Sequence, residues 1–224
     1  LNPYLCKNKA KMAIFLQVHP DNPNPRHIRT IVDCLLSGGV IIYPTDTVYA
    51  LGCSLTQVKA LDRMSQIRGE KKEKTSFSVI CQDLKQLSDY ARPIGNDIFK
   101  LMKRVLPGPY TFILEANNNV PKIYHSKKKS VGIRVPDNKI VSAIVLELGG
   151  PLASTSLRTD LVDEQEYIID PELIYERYEK QVDIVVDGGF GDTIGSTILD
   201  CTDDHVVLVR EGKGEIKNLL TILD

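Results

Sequence analysis

Short runs of branched and aromatic residues alternate along this chain with segments whose apolar residues recur at helical spacing. That alternation is the strongest limit on its fold, because it selects a sheet covered by helices over an all-helical or all-strand domain. Residues 13–18 are apolar at all but one position and read as a strand. Asn24 and Pro25 then supply a cap and a first-turn proline for a helix bearing Ile28, Ile31, Val32, Leu35 and Leu36 on one side. Gly38 and Gly39 stop it, and residues 40–43 are too short and too branched to be anything but a buried strand.

The same grammar continues. Val58, Leu61, Met64 and Ile67 mark a helix ending at Gly69, and 83–91, 94–108, 137–150, 171–181 and 214–223 read as further helices. Strands are expected at 75–82, 110–116, 130–136 and 151–156, followed by a close group at 182–189, 195–201 and 205–212. The polar stretch 158–166 is expected to be a mobile surface loop. With 224 residues and no long linker, the chain suits one α/β domain around a twisted sheet with parallel and antiparallel pairs. A regular pattern begins only at Met12, so the domain is taken as 12–224, and residues 1–11 read as a non-native extension or a mis-assigned start.

Composition excludes several classes of function. A net charge of -1 provides no global field toward nucleic acid or membrane, so an anion site must arise by local segregation of charge. The five cysteines are odd in number and form no C-x-x-C pair, which fits small core residues in a reducing compartment. No leader is evident and no apolar run approaches the roughly 20 residues of a membrane span, so a cytoplasmic protein is expected. The four histidines lie at no metal-ligand spacing, and no protein-bound zinc is expected. Neither phosphate-binding glycine fingerprint occurs, nor a G-x-S-x-G elbow.

What remains is a dispersed polar set. "VIIYPTDTVYALG" (residues 40–52) turns from a buried run to Thr45, Asp46 and Thr47. "RGEKKEK" brings Arg68, Lys71, Lys72 and Lys74, and "PGPYT" places Thr111 after a rigid turn. "IRVP" contributes Arg134, "STSLR" Ser154, Ser156 and Arg158, "GST" Ser196 and Thr197, and "VREG" Arg210. Taken singly, each is as well explained by ordinary exposed charge or by a capping hydroxyl.

The stretches "GGVIIYPTDTVYALGC", "PGPYTFIL", "GIRVP", "GPLASTS", "GSTILD" and "VLVREGKG" follow one another in an order that resembles the YrdC-like family. Its members include the L-threonylcarbamoyladenylate synthases, and the resemblance runs from about Gly38 to Gly214. It implies a YrdC-like domain with a large concave basic cleft, and a nucleotidyltransferase reaction. ATP, L-threonine and bicarbonate would yield threonylcarbamoyl-adenylate and pyrophosphate with Mg2+, on the route to a modified tRNA adenosine. Such chemistry needs positioning and charge neutralisation rather than a nucleophilic side chain.

Carried over by this resemblance, Arg68, Lys72 and Lys74 would act at the phosphates. Arg68, Lys74, Thr111, Arg158 and Arg210 would bind the nucleotide. Thr45, Thr47, Ser156, Ser196 and Arg134 would surround the amino acid, with Asp46 a turn or supporting group. Two departures are similar to the YciO branch. Arg68-Gly69-Glu70 stands where the family has Lys-x-Arg, and Ser156-Leu157-Arg158 where it has Ser-Ala-Asn. A carboxylate beside a triphosphate costs binding about 1 kcal/mol or more at an effective dielectric near 20. The alternative is a module that holds tRNA or double-stranded RNA on Arg68, Lys71, Lys72, Lys74, Arg134 and Arg210, mainly through phosphates.

Overall fold

The computed structural model describes residues 12–69, 77–120, 129–157, 167–203 and 205–217. The elements run β1 (Ile14–Gln17), α1 (Pro25–Leu36), β2 (Ile41–Tyr43), β3 (Ala50–Ser54), α2 (Val58–Ile67), β4 (Ser78–Ile80), α3 (Leu84–Ser88) and α4 (Asn96–Val105). They continue with β5 (Tyr110–Glu115), β6 (Ser130–Arg134), α5 (Lys139–Leu148), β7 (Leu152–Ser156), α6 (Pro171–Tyr178), β8 (Ile184–Asp187), β9 (Thr197–Asp200) and β10 (Val207–Arg210).

Local chemistry explains the helix starts. The side chains of Asn24, Asp83, Asn138 and Asp170 each accept a hydrogen bond from a backbone N–H in the first turn, filling groups that a helix leaves unpaired. Pro25 and Pro171 occupy first-turn positions where no N–H is needed.

Among the described residues, ten strands form one mixed sheet in the order β1-β8-β2-β3-β7-β4-β6-β5-β9-β10. Pairing is parallel for β1–β8, β2–β8, β4–β6 and β5–β9, and antiparallel for the rest. The single α/β domain with a mixed, helix-flanked sheet therefore stands as expected. Strand β3 does not follow from the sequence. Ala50, Gly52 and Ser54 have little strand preference, and β3 exists because β2 and β7 pair with it on both sides. At Gly52 a Cβ would stand 2.6 Å from the ring of Tyr43, so glycine lets that ring lie flat on the neighbouring strand. The expected last helix at 214–223 and the polar loop at 158–166 fall largely or wholly outside the described residues.

The helices divide between the faces. Leu61 and Met64 of α2, Leu87 of α3, Leu101 and Met102 of α4, and Ile174 of α6 join Ile42, Leu51, Val79, Phe112, Ile133 and Val185 in one core. On the other face, α1 and α5 cover Ile41, Tyr43, Ala50, Ile80, Leu152, Ile184 and Val186 with Ile31, Leu35, Ile140 and Ile144. Burying one such aliphatic side chain stabilises the fold by about 1.5–3 kcal/mol. Among the described residues this second core includes none from β5, β6 or β9. The sheet face under α1 and α5 therefore continues, past their cover, as a shelf over those three strands. No helix of the described residues is long and apolar enough to cross a membrane.

Burial pushes the Tyr43 phenol up to about 12 from its ordinary 10.0, although its hydrogen bond to Ser154 opposes the shift, and burial alone raises the Cys53 thiol to about 12. A folded-state pKa above the unfolded one gives stability that is whole below the unfolded pKa and is lost as pH rises toward the folded one. The urea midpoint is expected to fall as pH rises from about 10 to about 12, and Tyr43→Phe to flatten that fall. A midpoint unchanged across the interval would contradict the burial assignment.

Candidate functional site

The turn that follows β2 is built by its own hydroxyls. Thr45 Oγ1 accepts from the backbone N–H of Thr47 at 3.1 Å and donates to the carbonyl of Val48 at 2.8 Å, closing residues 45–48 on themselves. Thr45 thus commits its proton within the turn. The Thr47 hydroxyl, 3.1 Å from Thr45 Oγ1, is left to donate to it and to accept from Arg134 Nη2 at 3.1 Å.

Arg134 reaches this turn from β6. Its Nη2 also donates to Asp46 Oδ1 at 2.7 Å, and both side chains are under a tenth exposed. The second carboxylate oxygen of Asp46 accepts from the Asp137 N–H at 3.1 Å. With its charge paired and both oxygens engaged, Asp46 is a structural partner rather than a base. Arg134 Nε is buried without a partner among the described residues.

A second cluster lies on the shelf. Gly132, two residues before Arg134, shares its face of β6. A Cβ at Gly132 would stand 3.1 Å from Ser78 Oγ and 3.2 Å from Thr111 Cγ2, so three strands approach closely around a bare backbone. Thr111 Oγ1 and Ser196 Oγ are hydrogen-bonded at 2.8 Å. Arg210 crosses from β10 and donates from Nε and Nη2 to the Ser196 carbonyl at 3.2 and 2.7 Å. Ser78 pairs in register with Ser154, whose hydroxyl accepts from Tyr43 at 2.7 Å. The result is a floor of small and hydroxyl side chains with guanidinium groups at its margins.

Lys213 joins the two clusters. Its N–H donates to the Gly195 carbonyl at 2.9 Å. Its Nζ donates to the Asp46 carbonyl at 2.8 Å and meets Asp192 Oδ2 at 2.8 Å. The hydrogen bond from Lys213 holds the Asp192 carboxyl below its usual range.

Ser156 alternates with Thr155 on β7 and so projects from the same face as Ser154. Arg68, at the end of α2, donates to Thr155 Oγ1, which projects to that helix's own face, at 3.0 Å and to the Ser156 carbonyl at 2.6 Å. The Leu157 N–H donates to the Tyr49 carbonyl at 2.9 Å, which ties that tip to the turn. Thr45, Thr47 and Arg134 thus form one hydrogen-bonded group and Thr111, Ser196 and Arg210 another, bridged by Lys213, while Arg68 and Ser156 lie at the tip of β7. Lys72, Lys74 and Arg158, with Lys71 and Glu70, lie outside the described residues.

Of the hydroxyl residues, Ser78 and Thr111 stand at the first and second positions of β4 and β5, Ser156 at the last position of β7, and Ser154 within β7. Ser78, Tyr43, Asp192 and Lys213 do not stand out in the sequence as site residues. Ser78 carries no motif of its own, whereas Lys213 lies in "VREGKG", where a cation between two glycines could have flagged it.

The family described as "Telomere recombination", Sua5/YciO/YrdC, matches residues 33–212. The chain belongs to that family. YciO of Escherichia coli (strain K12) is 43% identical over 210 residues, 93% of this chain and 100% of YciO. Its crystal structure superposes with a TM-score of 0.86 over 92% of this chain and 99% of that one. The threonylcarbamoyl-AMP synthase of Bacillus subtilis (strain 168) is 29% identical over 192 residues, 84% of this chain and 54% of the synthase. The structure of P. abyssi Sua5 complexed with L-threonine matches at a TM-score of 0.86 and 23% identity, over 94% of this chain and 61% of Sua5, a likeness of fold. The span matched by the Sua5/YciO/YrdC family contains Thr47, Arg134, Ser196 and Arg210, and ends one residue before Lys213.

The Arg134–Asp46 pair sets a stability test. Arg134→Met strands a carboxylate in a buried place and is expected to cost about 3–5 kcal/mol in urea unfolding. Arg134→Met combined with Asp46→Leu should recover much of the loss, since replacing both charges removes the stranded group. A double variant as unstable as the sum of the singles would refute the pairing.

Proposed function

We propose that this chain forms, or acts on, threonylcarbamoyl-adenylate, with ATP, L-threonine and bicarbonate as the substrates of synthesis and the tRNA threonylcarbamoyladenosine route as its setting. One observation carries the reading. A buried hydroxyl and guanidinium (Thr47 and Arg134) form one group, Thr111, Ser196 and Arg210 form a second, and Lys213 links them through the Asp46 and Gly195 carbonyls. A compound acid with an amino-acid end and a phosphate end matches that polarity. The L-threonine complex of a Sua5 protein with the same fold supports assigning the amino acid to this family of sites.

In this reading Thr47, whose proton goes to Thr45, accepts from the threonine side, and the Nε of Arg134, without a partner among the described residues, donates to a carboxylate or carbamate oxygen. Ser196 and Thr111 line the junction with the nucleotide. Arg210 and Arg68 are assigned to the phosphates, and the family resemblance assigns Lys72, Lys74 and Arg158, outside the described residues, to the same end. The threonine amine takes up bicarbonate carbon with loss of water, and a carbamate oxygen attacks the α-phosphorus as pyrophosphate leaves. The protein orients these reactants and neutralises charge. Magnesium would enter on the triphosphate, because it keeps phosphate oxygens and waters as its principal ligands. The nearby carboxylates of Asp46 and Asp192 are already engaged by Arg134 and Lys213, which fits a metal carried by substrate rather than by the chain.

The test is incubation with ATP, L-threonine, bicarbonate and magnesium, following pyrophosphate and adenylate by chromatography, with preformed adenylate in a parallel reaction. Formation or consumption of the adenylate is expected. Failure of both, with no calorimetric binding of ATP or L-threonine, would overturn the proposal. Arg210→Ala is expected to weaken ATP binding by about 10- to 100-fold, the loss of one charge-assisted contact. RNA affinity that collapses steeply between low and moderate salt, without adenylate chemistry, would favour the RNA-binding module instead.

A further inference from the structure

Thr47 is held by its side chain through Arg134, but its main chain is held by something else. The peptide before it offers the Asp46 carbonyl, which accepts from Lys213 Nζ at 2.8 Å. The peptide after it offers the Thr47 carbonyl, which accepts from the Asp192 N–H at 3.1 Å. Lys213 and Asp192 are themselves paired at 2.8 Å, and Asp192 Oδ1 accepts from the Ile194 N–H at 3.0 Å. The two residues therefore form a clasp gripping both peptide groups that flank Thr47.

Its base is firm. The Lys213 N–H is bonded to Gly195, and the neighbouring Gly212 N–H donates to the buried Thr197 hydroxyl at 3.0 Å. Thr197 Oγ1 in turn donates to the Gly214 carbonyl at 2.6 Å. An exposed ion pair by itself contributes little, because solvent screens it. Lys213 differs in that its ammonium also bonds a backbone carbonyl, linking residues 44–49 to residues 191–196 and 211–214.

We propose that Lys213, acting with Asp192, is a positioning residue for the amino-acid end of the site: it fixes the main chain of Thr47, and with it the Thr47–Arg134 pair that borders the amino-acid ligand. The inference rests on the reading of this site as one for L-threonine. It separates the two ends of the shelf, since Arg210, Thr111 and Ser196 bond one another without passing through the Lys213 ammonium.

Isothermal titration with L-threonine and, separately, with ATP tests it. Lys213→Met is expected to weaken L-threonine binding about tenfold and to leave ATP binding within about twofold, because one charge-assisted bond to the turn is lost. Asp192→Asn should act in the same direction, and the two together should do little more than the worse single change. Lys213→Arg should restore most of the affinity. In the synthase assay the KM for L-threonine should rise with kcat nearly unchanged. Equal threonine affinity in unchanged protein and both single variants would overturn the clasp alone, and a matched loss of ATP affinity would reduce it to a general structural role. Wild-type protein that binds ATP but no L-threonine would overturn the reading of the site and the inference with it. If Lys213→Met fails to fold, the same pair of titrations on Asp192→Asn decides between these outcomes.

Discussion

The buried pairing of Arg134 with Asp46 is the constraint on which the rest of the site depends. A guanidinium and a carboxylate under a tenth exposed are tolerable only when joined, and joining them draws residues 44–49 onto β6. That fold-back brings Thr47 over the polar side of the sheet. Without it, the hydroxyl and carboxylate after β2 would be an ordinary solvated turn.

The sheet provides a place for that turn to land. The core under α1 and α5 reaches β7 and the end of β4, and around Gly132 the strands beyond carry Thr111 and Ser78. Small side chains let strands and ligand-sized groups approach the backbone, while the hydroxyls satisfy one another in pairs such as Thr111 with Ser196. The opposite face is packed with apolar residues beneath four helices. A floor of this kind suits chemistry by positioning, in which the protein contributes fixed donors and charge rather than a nucleophile.

The identity of most elements was legible in the residues. Asn24-Pro25, Asp83, Asn138 and Asp170-Pro171 announce helix starts by capping chemistry, which acts within a few residues and needs no tertiary context. Strand β3 was not legible, because Ala50-Leu51-Gly52-Cys53-Ser54 becomes a strand only between β2 and β7. The three late strands looked like neighbours in the sequence, yet β8 lies between β1 and β2 while β9 and β10 sit at the far edge. The candidate residues were singled out by their chemistry and order, whereas Ser78 and Asp192 were not legible, since their partners lie more than forty positions away, and Lys213 offered only its place between two glycines.

By itself, then, the order of residues determined the alternating elements, their caps and the family-like succession of hydroxyls and cations, because these depend on spacing and short-range hydrogen bonding. Only the tertiary structure decided which of the polar groups meet. Strand register put Ser154 opposite Ser78 and Ser78 opposite Gly132, a row that the core under α1 and α5 does not include. Long-range pairing of buried charge then drew Thr47 onto it, since a charged group removed from water must find its counterpart wherever in the chain that counterpart lies.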